Sequence, residues 1–155
     1  MLSLLFKLIL IISGSVVGFF FPDIEAVITA FWVEPNHPVS QMVRSYYKNR
    51  QFKLLRFYWI QNRKEYQTLI IHSAFFQIIL TIFSVFIVSS GGSIFVSFLC
   101  LSFMFRLFYE QYLDYKRGLL KEWFWAINIP LTKNFYRVYF SVLGIVSLYL
   151  LYTAF

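Results

Sequence analysis

Four apolar runs restrict what this chain can fold into more than any other feature of its sequence. Each approaches or reaches the roughly 20 helical residues that cross a bilayer core of about 30 Å. Mean hydropathy is +0.66, and only 14% of the residues are charged, unlike a typical soluble domain. We therefore predict an all-α, polytopic integral membrane protein with short interfacial amphipathic helices. It should form a single membrane domain over residues 1–155, with transmembrane helices at about 2–21, 68–90, 94–113 and 135–155.

The first apolar run is N-terminal, so a signal peptide is the alternative to a retained helix. Its basic region is thin and no convincing small-x-small cleavage site precedes Pro22, which favours a retained helix. Gly14 and Gly18 form a small-xxx-small pair, and such pairs let a neighbouring helix approach closely. Pro22 and Asp23 then end the run, and Asp23 is a candidate cap for a second, short helix.

A basic and aromatic stretch lies between the first two long runs, at about 39–64. Seven of the fourteen Lys and Arg residues fall between Arg44 and Lys64, and no Asp or Glu falls there. The apolar residues recur at helical spacing, so we predict amphipathic helices in the headgroup plane, bound to anionic phospholipid. Interleaved basic and aromatic residues also suit single-stranded nucleic acid, but in a chain this apolar we expect lipid and no nucleic-acid partner.

Loop charge predicts the orientation of the helices in the membrane. The connections at 34–66 and 114–134 carry eleven of the fourteen basic residues, and the connection at 89–93 carries none. The positive-inside rule therefore places both basic connections in the cytoplasm and both termini outside. The aromatic patch Trp123-Phe124-Trp125 is predicted to be interfacial, and Cys100 is predicted to pack as a small apolar residue.

Three charged residues repeat every fourth position at the end of the third run: Arg106, Glu110 and Asp114. This spacing places them on one helical face, and charges in a membrane segment normally face a protein interior and find partners there. With the predicted topology, Glu110 lies near the cytoplasmic end of its helix. His72, predicted four residues into the second helix, lies at a similar depth.

Two hypotheses account for these residues together with Asp23 and Glu25, which follow the first helix. In the first, Asp23, Glu25, His72 and Glu110 bind a divalent ion such as zinc, manganese or magnesium. Such an ion lowers the pKa of bound water and generates a nucleophile. In the second, the cluster is structural: Arg106 pairs with Glu110 and His72 hydrogen-bonds a carboxylate, which satisfies polar groups in a low dielectric.

Three short motifs resemble those of bacterial membrane-bound metal-dependent hydrolases, which are small polytopic inner-membrane proteins. The matching segments are Pro22-Asp23-Ile24-Glu25, His72-Ser73, and Arg106 with Glu110. The resemblance implies an inner-membrane location and catalytic roles for Asp23, His72, Arg106 and Glu110. Arg106 stands where the family has a histidine. Because an arginine stays protonated and does not ligate metal, the site is degenerate or altered, for example toward phosphate binding.

Two functions follow as hypotheses. The leading hypothesis is a multi-pass inner-membrane protein similar to metal-dependent hydrolases, with an altered polar site opening to the cytoplasm and a membrane-associated substrate. The alternative is a non-catalytic membrane protein whose 39–64 segment binds anionic lipid or a membrane protein partner.

Overall fold

The computed structural model of the protein describes residues 2–66, 69–127 and 132–154. Most of these residues are helical and none of them lies in a strand, which confirms the predicted all-α class for the described part of the chain. The helices are α1 (Leu2–Phe20), α2 (Ile24–Ile28), α3 (Pro38–Lys48), α4 (Phe52–Asn62), α5 (Ala74–Ser89), α6 (Ile94–Lys116) and α7 (Lys133–Ala154). Short 3-10 turns at Phe21–Asp23, Arg63–Glu65 and Leu120–Phe124 and a π segment at Thr29–Val33 complete the described structure.

Three helical stretches are long and apolar enough to cross a membrane: Ser3–Val33, Ile94–Lys116 and Lys133–Ala154. The apolar helix Ala74–Ser89 has 16 residues, about 24 Å at 1.5 Å per residue, which is shorter than a bilayer core of about 30 Å. Three of the predicted spans are therefore consistent with the described helices, and the span predicted at 68–90 stays a prediction. Its predicted first residue, Thr68, lies outside the described residues, as do Phe155 and residues 128–131 of the predicted 114–134 connection.

The chain divides into two compact units. The long-helix unit comprises Met1–Pro22 and His72–Phe155, and the hairpin unit comprises Asp23–Ile71. Whether they form the single membrane domain predicted over residues 1–155 stays a prediction. In the long-helix unit, α6 packs against α1, α5 and α7. More than half of its apolar window, 56%, is buried within the protein, so α6 is the central helix of that unit.

Close packing of α1 on α6 depends on the two glycines of the small-xxx-small pair. A Cβ atom at Gly14 would collide with the carbonyl oxygen of Phe95, and one at Gly18 with that of Leu99. Ser102 Oγ donates a 2.7 Å hydrogen bond to the Ser15 carbonyl oxygen across the same contact. The predicted close approach of a neighbouring helix is confirmed, and its partner is α6.

The hairpin unit has an apolar core of its own. Helices α3 and α4 pack together. Their buried apolar side chains form one core with residues of α2, of the π segment and of the stretch after α4. The core residues are Ala26, Ala30, Val39, Val43, Leu55, Trp59, Tyr66 and Leu69. The unit is therefore held by burial of apolar side chains, which is the main favourable contribution to folding.

Candidate functional site

The charged face of α6 is buried in the interior of the long-helix unit. Arg106 is 7% exposed, Glu110 5% and Asp114 6%. The spacing of four places them one helical turn apart on a single face, as predicted. Burial this complete requires partners, because an isolated charge in an apolar interior is very costly.

Two side chains that contact the carboxylate of Glu110 were selected from the sequence. His72 Nε2 lies 2.7 Å from Glu110 Oε2, and Arg106 forms an ion pair with Glu110 Oε1. The Arg106 guanidinium also lies 4.9 Å from the centroid of the Phe19 ring on α1, a cation–π geometry. The structure thus brings together three of the residues that the sequence analysis selected: His72, Arg106 and Glu110.

The backbone position of His72 differs from the prediction. Helix α5 begins at Ala74, so His72 precedes the helix rather than lying four residues inside it. The cause is local, because Ser73 adopts an extended conformation and its side chain accepts a 3.1 Å hydrogen bond from the Phe76 amide. This is a standard N-cap interaction. His72 is therefore placed by the turn before α5.

Trp123 joins the same cluster, although the sequence analysis predicted it to be interfacial. It is 3% exposed, its Nε1 donates a 2.9 Å hydrogen bond to Asp114 Oδ2, and its ring lies edge-on to His72 at 5.6 Å. Phe124 beside it is also buried, whereas Trp125 is exposed. Trp123 and Phe124 therefore pack inside the protein, and their predicted depth at the membrane interface stays a prediction.

A sequence signal for this contact existed at Gly118. The amide of Leu119 donates to the Asp114 carbonyl and the amide of Gly118 to the Tyr115 carbonyl, while Gly118 has a φ of +74°. This is a Schellman motif, which ends a helix at a left-handed glycine. The turn precedes the 3-10 segment Leu120–Phe124, from which Trp123 reaches Asp114.

A second set of buried polar side chains joins α5, α6 and α7. The Tyr139 hydroxyl donates a 2.8 Å hydrogen bond to Gln77 Oε1, and Gln111 Nε2 lies 3.5 Å from the Tyr139 oxygen. Gln77 is 2% exposed and Gln111 is fully buried. Neither glutamine was predicted from the sequence, since neutral amides give no charge pattern. They make the interior of the long-helix unit polar on more than one side of α6.

A cavity of about 350 Å³ lies beside Arg106 in the long-helix unit. Its wall is mostly apolar and includes Phe19, and it also carries Ser15, Ser102 and Tyr109. The cavity is therefore a predominantly apolar space with one cation in its wall, and that cation is already paired with Glu110.

The two acidic residues predicted from the end of the first apolar run belong to the hairpin unit. Asp23 precedes α2 but makes no side-chain capping hydrogen bond, and instead pairs with Arg56 Nε at 3.2 Å. Glu25 is 4% exposed and accepts a 2.7 Å hydrogen bond from the Ile71 amide. Both carboxylates thus have partners inside the hairpin unit, and their predicted grouping with His72 and Glu110 stays a prediction.

The donors at Glu110 do not fit a divalent ion in the arrangement described. His72 Nε2 faces one carboxylate oxygen, and the permanently charged Arg106 faces the other, where it would repel a cation. Within residues 2–66, 69–127 and 132–154, no group of three or more His, Cys, Asp or Glu side chains could hold a metal ion. Metal binding by Asp23, Glu25, His72 and Glu110 stays a prediction, and we derive no metal chemistry from it.

Comparison of the chain with protein-family models, with curated proteins and with solved structures gives no match. What the fold establishes is an all-helical protein with three stretches long and apolar enough to span a membrane.

Proposed function

We propose that this chain is a non-catalytic, four-span protein of the bacterial inner membrane whose hairpin unit binds anionic phospholipid headgroups. The observation that carries the proposal is a group of exposed basic and aromatic side chains where α3 turns into α4. We call this group the basic tip, and it consists of Tyr47, Lys48, Arg50, Phe52 and Lys53.

The basic tip concentrates positive charge within a stretch of sequence that has no acidic residue. Lys48, Arg50 and Lys53 are all exposed, and the sequence from Arg44 to Lys64 contains no Asp or Glu. Each Lys or Arg near an anionic membrane surface contributes about 1 kcal/mol of attraction. Three such residues favour an anionic over a neutral surface by about 3 kcal/mol, or about a hundred-fold in affinity.

The aromatic residues of the basic tip suit the same environment. Tyr47 is 43% exposed and Phe52 58% exposed, and their rings meet edge to face at 5.9 Å. Aromatic side chains with basic neighbours are typical of helices that lie at the boundary between headgroups and acyl chains. The buried core of the hairpin unit is formed by other residues, such as Leu55 and Trp59, and Tyr47 borders this core through its contact with Phe31 at 5.5 Å.

The turn itself holds an arginine in a conformation that favours glycine. Gln51 N donates to the Tyr46 carbonyl and Arg50 N to the Tyr47 carbonyl, which is a Schellman motif. Arg50 occupies its left-handed position with a φ of +57°, at a cost of roughly 1–2 kcal/mol for a residue with a Cβ. Strain of this kind concentrates where a side chain has a role, which supports a role for the Arg50 guanidinium.

The membrane arrangement in this proposal follows the charge pattern of the sequence. Helix α5 is the span predicted at 68–90 and brings the number of spans to four. The short connection at 89–93 lies outside, and the connections at 34–66 and 114–134 lie in the cytoplasm. This orientation places the basic tip on the side where anionic lipids give the surface a negative potential.

Hydrogen–deuterium exchange of the full chain in nanodiscs tests the lipid proposal. Backbone amides from Asn49 to Lys53 should exchange more slowly in discs that contain phosphatidylglycerol than in discs of phosphatidylcholine alone. High salt should remove the difference, because it screens surface charge. The variant in which Lys48, Arg50 and Lys53 are all replaced by glutamine should show no difference between the two lipids.

The control variant replaces Lys7, Arg117 and Lys121 by glutamine, which removes the same charge from the long-helix unit. It should behave like wild type at the basic tip. Equal exchange of wild type in both kinds of disc, or an equal loss in the control variant, would refute a lipid-binding role for the tip.

Hydrolysis of a membrane-associated phosphate ester is the second candidate function, favoured by the cavity beside Arg106. A guanidinium in a mostly apolar wall binds phosphate well, although here it already pairs with Glu110. Purified protein should then release product from phospholipid vesicles with added zinc, manganese or magnesium, and His72→Asn should abolish the release. Absence of product with all three metals would leave the non-catalytic proposal standing alone.

A further inference from the structure

An aromatic groove lies on the surface of the long-helix unit between α6 and α7. It encloses about 470 Å³. Its walls are formed mainly by the rings of Phe108, Tyr112, Tyr115, Tyr136 and Phe140. The rings contact one another across the helix pair, with Phe108 and Phe140 at 5.6 Å and Tyr115 and Tyr136 at 6.1 Å. Numbering rises on one helix as it falls on the other, so the helices are antiparallel along the groove.

Positive charge lies at one end of this groove. Arg137 lines it and is exposed, and among the described residues it has no carboxylate partner within ion-pair distance. The Lys116 ammonium lies 4.7 Å from the centroid of the Tyr112 ring, another wall residue. Lys133, one turn before Arg137, lies on the same side of α7. Among the described residues, no Asp or Glu lines the groove.

The dimensions suit a lipid that is held at its headgroup. Lys116 is the last residue of α6 and Lys133 the first of α7, so the cations lie at the ends of the helices, where headgroups would be found. Phe108 lies eight residues before Lys116, about 12 Å further along the helix. The groove therefore runs from a cationic rim into an apolar, aromatic wall deeper along the pair.

We infer that this groove binds one anionic phospholipid, with its phosphate at Arg137 and an acyl chain against the aromatic wall. Basic pockets between transmembrane helices on the cytoplasmic side are a common form of headgroup recognition. The inference rests on the membrane placement in the proposed function, but not on the basic tip. The groove is a site for a single lipid molecule, whereas the basic tip attracts anionic headgroups without a fixed number of bound lipids.

A second groove on the same unit supplies an internal comparison. It lies between α5 and α7 and has a volume of about 340 Å³. The described residues that line it are mainly apolar, such as Ile78, Ile82 and Val138, and none of them is charged. Acyl chains of any lipid should cover it, without a preference for the headgroup. The charge at Arg137 is thus the feature that distinguishes the groove between α6 and α7.

Native mass spectrometry of the detergent-purified full chain tests the inference. With phosphatidylglycerol and phosphatidylcholine of equal chain length added in turn, wild type should retain one phosphatidylglycerol molecule preferentially. Arg137→Gln should weaken that retention about five-fold, the equivalent of one cation. Arg137→Lys should retain most of it. Lys121→Gln, which removes an exposed cation that does not line the groove, should behave as wild type.

A steric variant keeps the charge and fills the space. Ser141→Trp places an indole in the groove, and it should displace the retained lipid while Val138→Trp, in the apolar groove, should not. Replacing the three cations of the basic tip should leave the retained molecule in place, so failure of the tip proposal and failure of this one are separable. Equal retention of both lipids by wild type, or equal effects of Arg137→Gln and Lys121→Gln, would overturn the inference.

Discussion

Removal of the Arg106 guanidinium tests whether the buried cluster is a structural ion pair. In Arg106→Leu, Glu110 keeps its burial and its hydrogen bond to His72 but loses its permanent cation. Both side chains of the pair are 7% exposed, so water screens their interaction little. Breaking one side of such a pair costs about 3–5 kcal/mol, and loss of the guanidinium contact with the Phe19 ring adds about 0.5–2 kcal/mol.

The assay is reversible unfolding of the purified protein in mixed micelles. We expect the free energy of unfolding to fall by about 3–5 kcal/mol in Arg106→Leu, and most of it to return when Glu110→Leu is added, because an apolar pair of similar volume replaces a charged one. Arg117→Leu is the matched control. Arg117 is 54% exposed and lies 3.9 Å from Asp114, so its loss should cost less than about 1 kcal/mol.

The same assay separates this account from metal binding. If the cluster is structural, zinc or manganese should leave the stability of wild type unchanged, and Arg106→His should lose stability with or without metal. A bound ion at a hundred times its dissociation constant would add about 2.7 kcal/mol. Stabilisation of wild type or of Arg106→His by that amount, or an Arg106→Leu variant as stable as wild type, would refute the structural reasoning.

Three further predictions concern packing, titration and topology. Gly18→Ala should lower the free energy of unfolding by roughly 1–3 kcal/mol, because the added Cβ has no space. A Cβ added at Gly144 meets no atom within 4 Å, so Gly144→Ala should raise the free energy of unfolding by up to about 1 kcal/mol. Burial raises the pKa of Tyr66 above 10.0, so above that pH the unfolded chain loses a proton that the folded chain keeps. Stability should therefore fall with rising pH, less steeply in Tyr66→Phe. A Ser90→Cys label, in a Cys100→Ser background, should react from the outside only, and reaction from the cytoplasm would contradict the orientation.

The sequence predicts those features that depend on spacing along one helix. The burial of Arg106, Glu110 and Asp114 follows from a repeat of four in an apolar run, and the glycine pair of α1 follows from the same geometry. The partners were harder to predict. Glu25 binds the amide of Ile71, 46 residues away in sequence, and no periodicity in the chain encodes such a contact.

Turns position two residues of the buried cluster, His72 and Trp123, that helical spacing does not place. His72 was expected inside α5, but the Ser73 cap starts the helix after it. Trp123 was expected at the interface because tryptophan is common there, and the contact that its buried indole makes with Asp114 was not predicted, although a buried indole needs an acceptor. In both cases a short local motif decided which side chain reaches the cluster, and a pattern of hydrophobicity does not detect it.

Two helices of this chain end in the same Schellman motif with different residues at the left-handed position. Gly118, with a φ of +74°, occupies this position two residues after the end of α6, and Arg50, with a φ of +57°, occupies it two residues after the end of α3. Glycine meets the requirement at no steric cost, whereas arginine costs roughly 1–2 kcal/mol. The hairpin core does not explain the arginine, because Arg50 is exposed. The lipid proposal does explain it, since the position lies within the basic tip.

Arg50→Gly should therefore separate stability from lipid binding. The substitution removes the strain at the left-handed position and should raise the free energy of unfolding by about 1 kcal/mol. It also removes one of the three cations of the tip, so the affinity for phosphatidylglycerol should fall about five-fold. Lys48→Gln is the control, with the same loss of charge and a stability within about 0.5 kcal/mol of wild type. If Arg50→Gly is more stable than wild type but binds phosphatidylglycerol with the same affinity, the Arg50 side chain has no role in lipid binding. The substitution would then have relieved backbone strain without removing a lipid contact.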